Sequence, residues 1–182
     1  LSVIGAIYAA EAKASQLSVL GGLNMTSASF DPALPAGTAK GQSSIMFGAT
    51  MDFAMNPSWS FETGALYGTN SIRIEVDANN YVDFKQAALM MPALVRYHFG
   101  PAFSVGAGGY YNLTMGNAKT TTTAAGTTGA ETDSGSKSDS DYGVVASAKH
   151  EIPLATKVKF ALEGRYDIGL KPVGAGSNTA KL

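Results

Sequence analysis

Apolar and polar residues alternate along most of the chain with a period of two. The segment 157–170 shows the pattern most fully. Its even-numbered residues are apolar or glycine, and its odd-numbered residues include Lys159, Glu163, Arg165 and Asp167. Because successive side chains of a β-strand point to opposite faces, this pattern predicts a strand with one uncharged face and one charged face.

The same alternation recurs in seven segments, which begin near residues 16, 43, 59, 83, 103, 141 and 157. The connections between them are alternately long and short, and the short ones contain turn residues such as Asn56-Pro57-Ser58 and Gly100-Pro101. Consecutive hairpins therefore place all short turns at one end and all long loops at the other. The segments are about 10–14 residues long. This length suits tilted membrane crossings, which need about 9–11 residues. The pattern predicts an all-β, antiparallel, up-and-down transmembrane β-barrel.

Aromatic residues indicate which face of each strand meets lipid. Five of them lie on the apolar face beside short turns, where an interfacial girdle is expected: Trp59, Phe61, Tyr97, Phe99 and Phe103. The polar face is rich in glycine, which suits a narrow lumen. This orientation is the reverse of that in a soluble lipocalin-like barrel, where apolar side chains point inward. A soluble lipocalin-like carrier remains an alternative at this stage.

Charged residues on the inward face are the candidate site. They are Asp52, Glu62, Arg96, Lys159, Glu163, Arg165 and Asp167. An unpaired buried charge is costly, so we expect at least one ion pair among them, with Glu62 and Arg96 on consecutive strands as the first candidates. The set predicts a narrow, charge-plugged lumen. The alternative is that some of these side chains face water at a mouth of the barrel.

Composition excludes several other classes of function. The chain has 182 residues, 15% charged residues and a net charge of −1, so the total charge gives no reason to expect nucleic-acid binding. The absence of cysteine excludes disulfides and thiolate metal sites. The two histidines, His98 and His150, fall on opposite faces, so we expect no metal site. The glycine-rich 106–111 lies within a strand and no helix follows it, so we expect no cofactor.

The two ends and one connection need separate interpretation. Residues 1–14 are apolar and small and fit a signal-peptide remnant; an ordinary first strand or helix is the alternative. Residues 15–182 then form the barrel domain, with a long, low-complexity, mobile outer loop at 117–140. Single-chain bacterial barrels have an even number of strands, so a count of seven predicts an eighth strand beyond residue 182. Pro92, on a central strand, predicts a β-bulge.

Over residues 15–170 the chain resembles the small OmpA/OmpX-type outer-membrane β-barrel domains of Gram-negative bacteria. The alternating strands, the short turns, the glycine-rich inward face and the strand FSVGAGGYYNL (103–113) carry the resemblance. It implies an eight-stranded barrel at the cell surface in the bacterial outer membrane. The implied partners are the lipid bilayer and lipopolysaccharide, the barrel-assembly machinery, and a surface ligand bound through the outer loops.

The expected function is therefore non-enzymatic: a surface-exposed structural or interaction protein with a charge-plugged lumen. A small, porin-like diffusion channel is the main alternative. An outer-membrane lipid hydrolase is a further rival, since such enzymes also use small barrels. By resemblance, a Ser–His lipid A deacylase keeps its histidine near the outer leaflet. Both histidines of this chain fall at short-turn ends instead.

Overall fold

The computed structural model describes the backbone of residues 2–12, 15–26, 29–31, 38–133, 140–155, 158–170, 172–173 and 179–181, and the side chains of 15–26, 38–133, 140–155 and 158–170. The described backbone consists of β-strands and the connections between them. The strands are β1 (Ser2–Ala12), β2 (Ser15–Met25), β3 (Ser29–Asp31), β4 (Thr38–Gly41), β5 (Ser43–Ala54), β6 (Trp59–Asp77), β7 (Asn80–His98), β8 (Phe103–Ala124), β9 (Thr127–Thr128), β10 (Thr132–Asp133), β11 (Asp141–Ala155), β12 (Val158–Gly169), β13 (Pro172–Val173) and β14 (Thr179–Lys181). No helix in the described part of the chain is long and apolar enough to cross a membrane.

Eight strands pair in a closed antiparallel ring in the order β1, β2, β5, β6, β7, β8, β11 and β12, and β12 pairs in turn with β1. Every strand of the ring therefore has two neighbours. Closure leaves no row of unpaired backbone groups in the ring, which a hydrocarbon environment requires. The predicted all-β, antiparallel, up-and-down barrel is confirmed.

Strand β1 corrects the strand count. It pairs with β12 from Ser2 opposite Arg165 and with β2 from Ser2 opposite Asn24, so Ser2–Ala12 occupies the eighth place that was expected beyond residue 182. A short run of small and apolar residues is compatible with both a leader and a strand. Ring closure favours the strand here, because it removes two open edges. Whether residues 1–14 are removed as a signal remnant stays a prediction.

Side-chain exposure follows the predicted alternation. Ile45 and Val19, on the exterior, are 71% and 60% exposed, whereas Leu20 and Met46, one residue further along, are buried in the lumen. The further exposed exterior side chains include Leu17, Leu23, Phe47, Val95, Leu113, Tyr142, Leu162, Tyr166 and Ile168. A continuous apolar exterior of this kind is what a lipid-facing barrel presents.

Three strands continue past the barrel. β6, β7 and β8 have 19, 19 and 22 residues, more than the roughly 9–11 that one crossing needs. β4 pairs with the far part of β6, and β9 and β10 fold back on the end of β8. We call this sheet, formed by residues 38–41, 69–86 and 117–133, the outer extension.

The outer extension differs from two sequence-based expectations. The long connection after the segment that begins near residue 59 was expected to be polar and to run to about Asn80, and 117–140 was expected to be a mobile loop. Instead, Thr120–Thr123 pair in register with Phe84–Tyr81, and the β6–β7 turn lies at residues 78–79. Threonine is β-branched and favours extended backbone, so a threonine run extends a strand readily once a neighbouring strand is available. Residues 134–139 of the expected loop lie outside the described residues.

The bulge expected at Pro92 is absent, and a different one is present. β6 and β7 keep one register from Thr63–Ala93 to Leu66–Met90, so the strands tolerate Pro92 without an extra residue. The bulge on β8 lies where the outer extension begins: the pairing changes from Ala87–Met115 to Lys85–Lys119, and Gly116 has a positive φ of 72°. Glycine adopts this left-handed conformation without strain.

The charged lumen as candidate functional site

Six charged side chains from five strands meet inside the barrel. They are Asp52 of β5, Glu62 of β6, Arg96 of β7, Lys149 of β11, and Glu163 and Arg165 of β12. Each occupies an inward position of its strand, opposite to the apolar exterior series. All six are buried, and the side chain of Arg96 is 0% exposed. We call this group the lumen ion cluster.

Glu62 is the centre of the lumen ion cluster. Its Oε2 accepts hydrogen bonds from Arg96 Nη2 at 2.6 Å and from Lys149 Nζ at 3.1 Å. Its Oε1 accepts a hydrogen bond from Arg165 Nη2. One carboxylate therefore contacts three cations, each from a different strand, and ties β6, β7, β11 and β12 together across the lumen.

Two further carboxylates complete the cluster. Glu163 accepts a hydrogen bond from Arg96 Nη2 at 2.7 Å and lies 3.2 Å from Arg165 Nε. Asp52 accepts a hydrogen bond from Lys149 Nζ at 3.1 Å and lies 3.8 Å from Arg96 Nε. The three acids balance the three bases. A balanced set limits the electrostatic cost of removing these charges from water, which a single buried ion would bear in full.

The structure separates the predicted residues into two groups. Five of the seven join the cluster, whereas Lys159 pairs with Glu151 at 3.1 Å near the short-turn end and remains partly exposed. Asp167 lies two residues beyond Arg165 on β12, and its Oδ1 accepts no hydrogen bond from the described residues. The roles of all seven residues stay predictions.

Sequence analysis missed Lys149, which contacts two of the three carboxylates of the cluster. A signal was present: Tyr142, Val144, Ala146 and Ala148 occupy the exterior series of β11, so Lys149 takes an inward position. The alternation on this strand is weak because its exterior residues include small alanines. The weak contrast makes Lys149 less evident as an inward charge than Glu163 or Arg165 of β12.

Buried apolar side chains also lie in the lumen, and we call them the apolar layer; Leu66, Leu94 and Val145 lie further towards the outer extension along their strands than Glu62, Arg96 and Lys149 do. One group of buried side chains contains Leu20, Met46, Leu66 and Ala161, and the other contains Leu94, Tyr110 and Val145. Met90 packs against both groups and joins them. The lumen thus holds both an ionic group and an apolar group of buried side chains. Leu94 is 0% exposed, as Arg96 is.

A serine and a histidine meet at the short-turn side of the cluster. Ser60 Oγ lies 2.9 Å from His98 Nε2 and also donates a hydrogen bond to Asp52 Oδ1 at 3.2 Å. In this arrangement the hydroxyl proton of Ser60 points to Asp52 and not to His98. Ser60 is also 3% exposed. No group of three or more His, Asp or Glu residues suited to a metal ion occurs among the described residues.

Four of the five predicted girdle residues form one line of ring contacts. The ring centroids of Trp59 and Tyr97 are 4.9 Å apart, those of Tyr97 and Phe99 are 4.8 Å apart, and those of Phe99 and Phe103 are 5.8 Å apart. Phe61 lies on the same exterior face. Amphipathic and aromatic rings in such a row are typical of a membrane–water interface.

The outer extension carries separate ion pairs on its exterior face. Arg73 donates two hydrogen bonds to Asp83, at 2.7 and 2.9 Å, and its guanidinium lies 3.8 Å from the ring centroid of Tyr81. Hydrogen bonding to Asp83 raises the pKa of Arg73. Lys40 pairs with Glu75 at 2.7 Å. These pairs are partly or largely exposed, unlike those of the lumen ion cluster.

Comparison with known proteins agrees with this architecture. The family described as outer membrane protein beta-barrel domain matches residues 9–174, which is most of the chain. No curated protein and no solved structure matches the chain. The family and the apolar exterior exclude the soluble lipocalin-like carrier. The chain belongs to the outer membrane protein β-barrel domain family and lies in the bacterial outer membrane.

Proposed function

We propose that the protein is a non-enzymatic, non-conducting barrel that anchors the outer extension at the cell surface. The observation that carries the proposal is the pair of layers in the lumen. The lumen ion cluster joins β6, β7, β11 and β12 through Glu62 and Arg96, and the apolar layer contains Leu94, the inward neighbour of Arg96 on β7. A solute passing through would have to separate balanced buried charges and then displace close-packed apolar side chains.

The absence of catalysis is part of the proposal. The contact between Ser60 and His98 is the arrangement most similar to a nucleophile and its base. Its serine is buried and donates to Asp52, which argues against proton transfer to His98. We expect no hydrolysis of a radiolabelled outer-membrane glycolipid or phospholipid above that of a Ser60→Ala variant. Hydrolysis by the wild type that Ser60→Ala abolishes would contradict this part of the proposal.

Single-molecule conductance in planar bilayers tests the closed lumen. The wild-type barrel is expected to give no steady current at moderate voltage. A variant that reduces both layers (Glu62→Ala, Arg96→Ala, Leu66→Ala and Leu94→Ala) is expected to conduct if it folds, which heat-dependent gel mobility would establish. Lys159→Ala is the matched control, because Lys159 pairs with Glu151 outside the lumen ion cluster.

The outcome for the wild type decides between the two functions that the sequence leaves open. Steady conductance of uniform size from the wild-type barrel would overturn the closed lumen and favour the small diffusion channel. Conductance that appears in Lys159→Ala would place the constriction at the short-turn mouth and would also contradict the proposal.

A further inference from the structure

Oxygen-bearing side chains from three strands meet at the outer end of the lumen. Tyr110 and Asn112 of β8, Asp141 of β11 and Asp167 of β12 all occupy inward positions of their strands. Asn112 and Asp141 are partners in the ladder, so their Cβ atoms lie about 4.5–5.5 Å apart on the same face. The hydroxyl of Tyr110 donates a hydrogen bond to Asp141 Oδ2 at 3.1 Å. We call these four side chains the outer oxygen group.

The ring of Tyr110 connects the two carboxylates of this group. Its ladder partner on β11 is Gly143, and a Cβ atom placed on Gly143 would lie 2.7 Å from Tyr110 Cε1 and 2.8 Å from the hydroxyl oxygen. The ring therefore lies across β11, in the space that a side chain at Gly143 would fill. Gly143 pairs in turn with Gly169 of β12, and Asp167 is the next inward residue on that strand. The charge of Asp167 acts on the Tyr110 hydroxyl.

Two buried oxygens of the group have no protein partner. Asn112 is only 6% exposed, and its Oδ1 accepts no hydrogen bond from the described residues. Oδ1 of Asp167 is buried as well, and it likewise accepts none from them. Enclosing such an acceptor without a partner costs about 1–3 kcal/mol, and more for a charged group. A ligand that satisfies both oxygens must be a donor or a cation, since neither oxygen can donate.

Charge favours a cation over a neutral donor. The three acids and three bases of the lumen ion cluster balance one another, and Asp141 and Asp167 are carboxylates outside that set. Asp167 forms no ion pair with any residue of the described ranges. The nearest base along its strand, Arg165, already contacts Glu62 and Glu163. A positive ion beside Asp167 would compensate a carboxylate that the described side chains leave unbalanced.

The donor atoms indicate which cation would bind. Carboxylate and amide oxygens are hard ligands, which suit Ca²⁺ and Mg²⁺ better than softer metals. Ca²⁺ accepts six to eight oxygens in flexible geometry, whereas Mg²⁺ demands a near-ideal octahedron. Side chains from three separate strands form an irregular set, which favours Ca²⁺. Asp167 is partly exposed, so water can complete the coordination from the outer mouth.

We propose that Asn112, Asp141 and Asp167 bind a divalent cation of the calcium type in the outer lumen, with Tyr110 as the positioning residue for Asp141. The sequence-based expectation of no metal site rested on the two histidines, and this donor set contains only oxygen. The ion would join β8, β11 and β12 beyond the lumen ion cluster. The site does not require a closed lumen, so current through the wild-type barrel would contradict the proposed function alone.

Terbium luminescence from the full chain, folded in detergent micelles, tests where the ion binds. Tb³⁺ occupies oxygen sites for Ca²⁺ and emits when a neighbouring tyrosine is excited. We expect saturable emission that Ca²⁺ displaces. Tyr110→Phe should remove most of the emission at saturating Tb³⁺. The matched control is Tyr111→Phe, the next residue of β8 on the exterior face, which should remove little. Equal losses for the two variants would overturn the position of the site.

Calorimetric titration with Ca²⁺ tests the ligands. Two acids and one amide suit a dissociation constant of about 0.1–1 mM, the range of extracellular calcium modules. Asp141→Asn and Asp167→Asn should each weaken binding at least about tenfold. Asn112→Asp should tighten it several-fold, because it adds charge to the site. Glu131→Gln, which removes an exposed acid of the outer extension, should leave binding unchanged.

The variants also separate a cation site from a structural role of the same residues. Heat-dependent gel mobility establishes that each variant folds. A third carboxylate without a cation would only add repulsion, so tighter binding by Asn112→Asp is expected from a ligand alone. Weaker binding by Asn112→Asp would overturn the proposal, as would equal effects of Asp167→Asn and Glu131→Gln. The absence of saturable Ca²⁺ binding below about 10 mM would overturn it too.

Discussion

The barrel and the outer extension are built from the same strands, but the polar and apolar faces of those strands are reversed between the two regions. In the barrel, the exterior series of β7 includes Met91 and Val95, and the lumen series includes Arg96. In the outer extension the exterior series carries Asp83 and Lys85, whereas the opposite face carries paired apolar residues. Those pairs are Ile72 with Phe84 and Ile74 with Val82. The period of two continues from one region to the other. The exterior face meets lipid in the barrel and water in the outer extension, and its residues change from apolar to charged accordingly.

The ion pairs of the two regions differ in the same way. Those of the lumen ion cluster are buried and share partners, so the loss of one group leaves several others uncompensated. Those of the outer extension are exposed to water, which screens each charge and stabilises it when its partner is lost. The comparison predicts large effects of charge removal in the lumen and small effects in the extension.

The largest expected effect comes from the centre of the lumen ion cluster. Glu62→Ala should lower the free energy of unfolding by about 3–5 kcal/mol, because three buried cations lose their shared carboxylate. Glu75→Ala in the outer extension is the matched control and should cost about 0–1 kcal/mol. Urea titration of barrels folded into lipid vesicles measures both. Similar losses of stability for the two variants would contradict the predicted difference between buried ion pairs in the lumen and exposed ion pairs in the outer extension.

A charge placed on the lipid-facing exterior should have the next largest effect. Leu162→Arg, at an exposed exterior position of β12, should cost about 2–4 kcal/mol near the bilayer midplane. Thr121→Arg, on the exterior face of the outer extension, should change stability by about 0.5 kcal/mol or less. Equal costs would show either that the barrel exterior does not face lipid or that the exterior face of the outer extension does not face water.

Truncation of an apolar cross-strand pair should have a smaller and local effect. Phe84→Ala removes the contact with Ile72 and should cost about 0.5–1 kcal/mol in the outer extension. Hydrogen exchange should quicken at residues 69–86 and remain unchanged at the barrel amides. Val76→Ala, at a more exposed position near the tip, is the control and should have less effect. Faster exchange throughout the barrel would contradict a separate stability of the extension.

The smallest expected effect is a pH dependence of the β6–β7 turn. Hydrogen bonds from the side chain of Asn80 and the backbone of Asn79 lower the pKa of Asp77. The stabilisation is therefore present above the ordinary pKa of an aspartate, about 4, and is lost as the pH falls through the lowered folded value. The protection factor of the Gly126 amide, which donates to Asn79 O, should fall in the wild type as the pH is lowered, after division by the intrinsic exchange rate at each pH. In Asp77→Asn the protection factor should stay constant over the same pH range.

Sequence alone predicted the parts of the fold that depend on a repeating local signal. The alternation in β12 gives a lipid face with Leu162 and a lumen face with Glu163 and Arg165, and the closed ring confirms that orientation. The turn residues at 56–58 and 100–101 lie between strands as predicted. Two expectations failed where a neighbouring strand decides the conformation. The threonine run at 120–123 extends β8, and Pro92 keeps its register.

The sequence predicted only some members of the lumen ion cluster. The others depend, like the failed expectations above, on how the strands are placed relative to one another. Alternation assigns a residue to the lumen but does not determine its height along the axis or its partner across the barrel. Lys159 and Lys149 both have inward positions, yet only Lys149 lies level with Glu62. The stagger of the strands in the closed ring fixes these levels, and stagger is a property of the whole ring.

The sequence by itself determined the strand periodicity, the two faces, the medium on each side and the family, because each rests on residues close together in the chain. Tertiary structure decided the closure by Ser2–Ala12, the choice of Lys149 over Lys159, and the approach of Asn112 to Asp141. These features depend on register between strands far apart in sequence. A shift of register by a few residues would leave every local pattern unchanged and every one of these contacts broken.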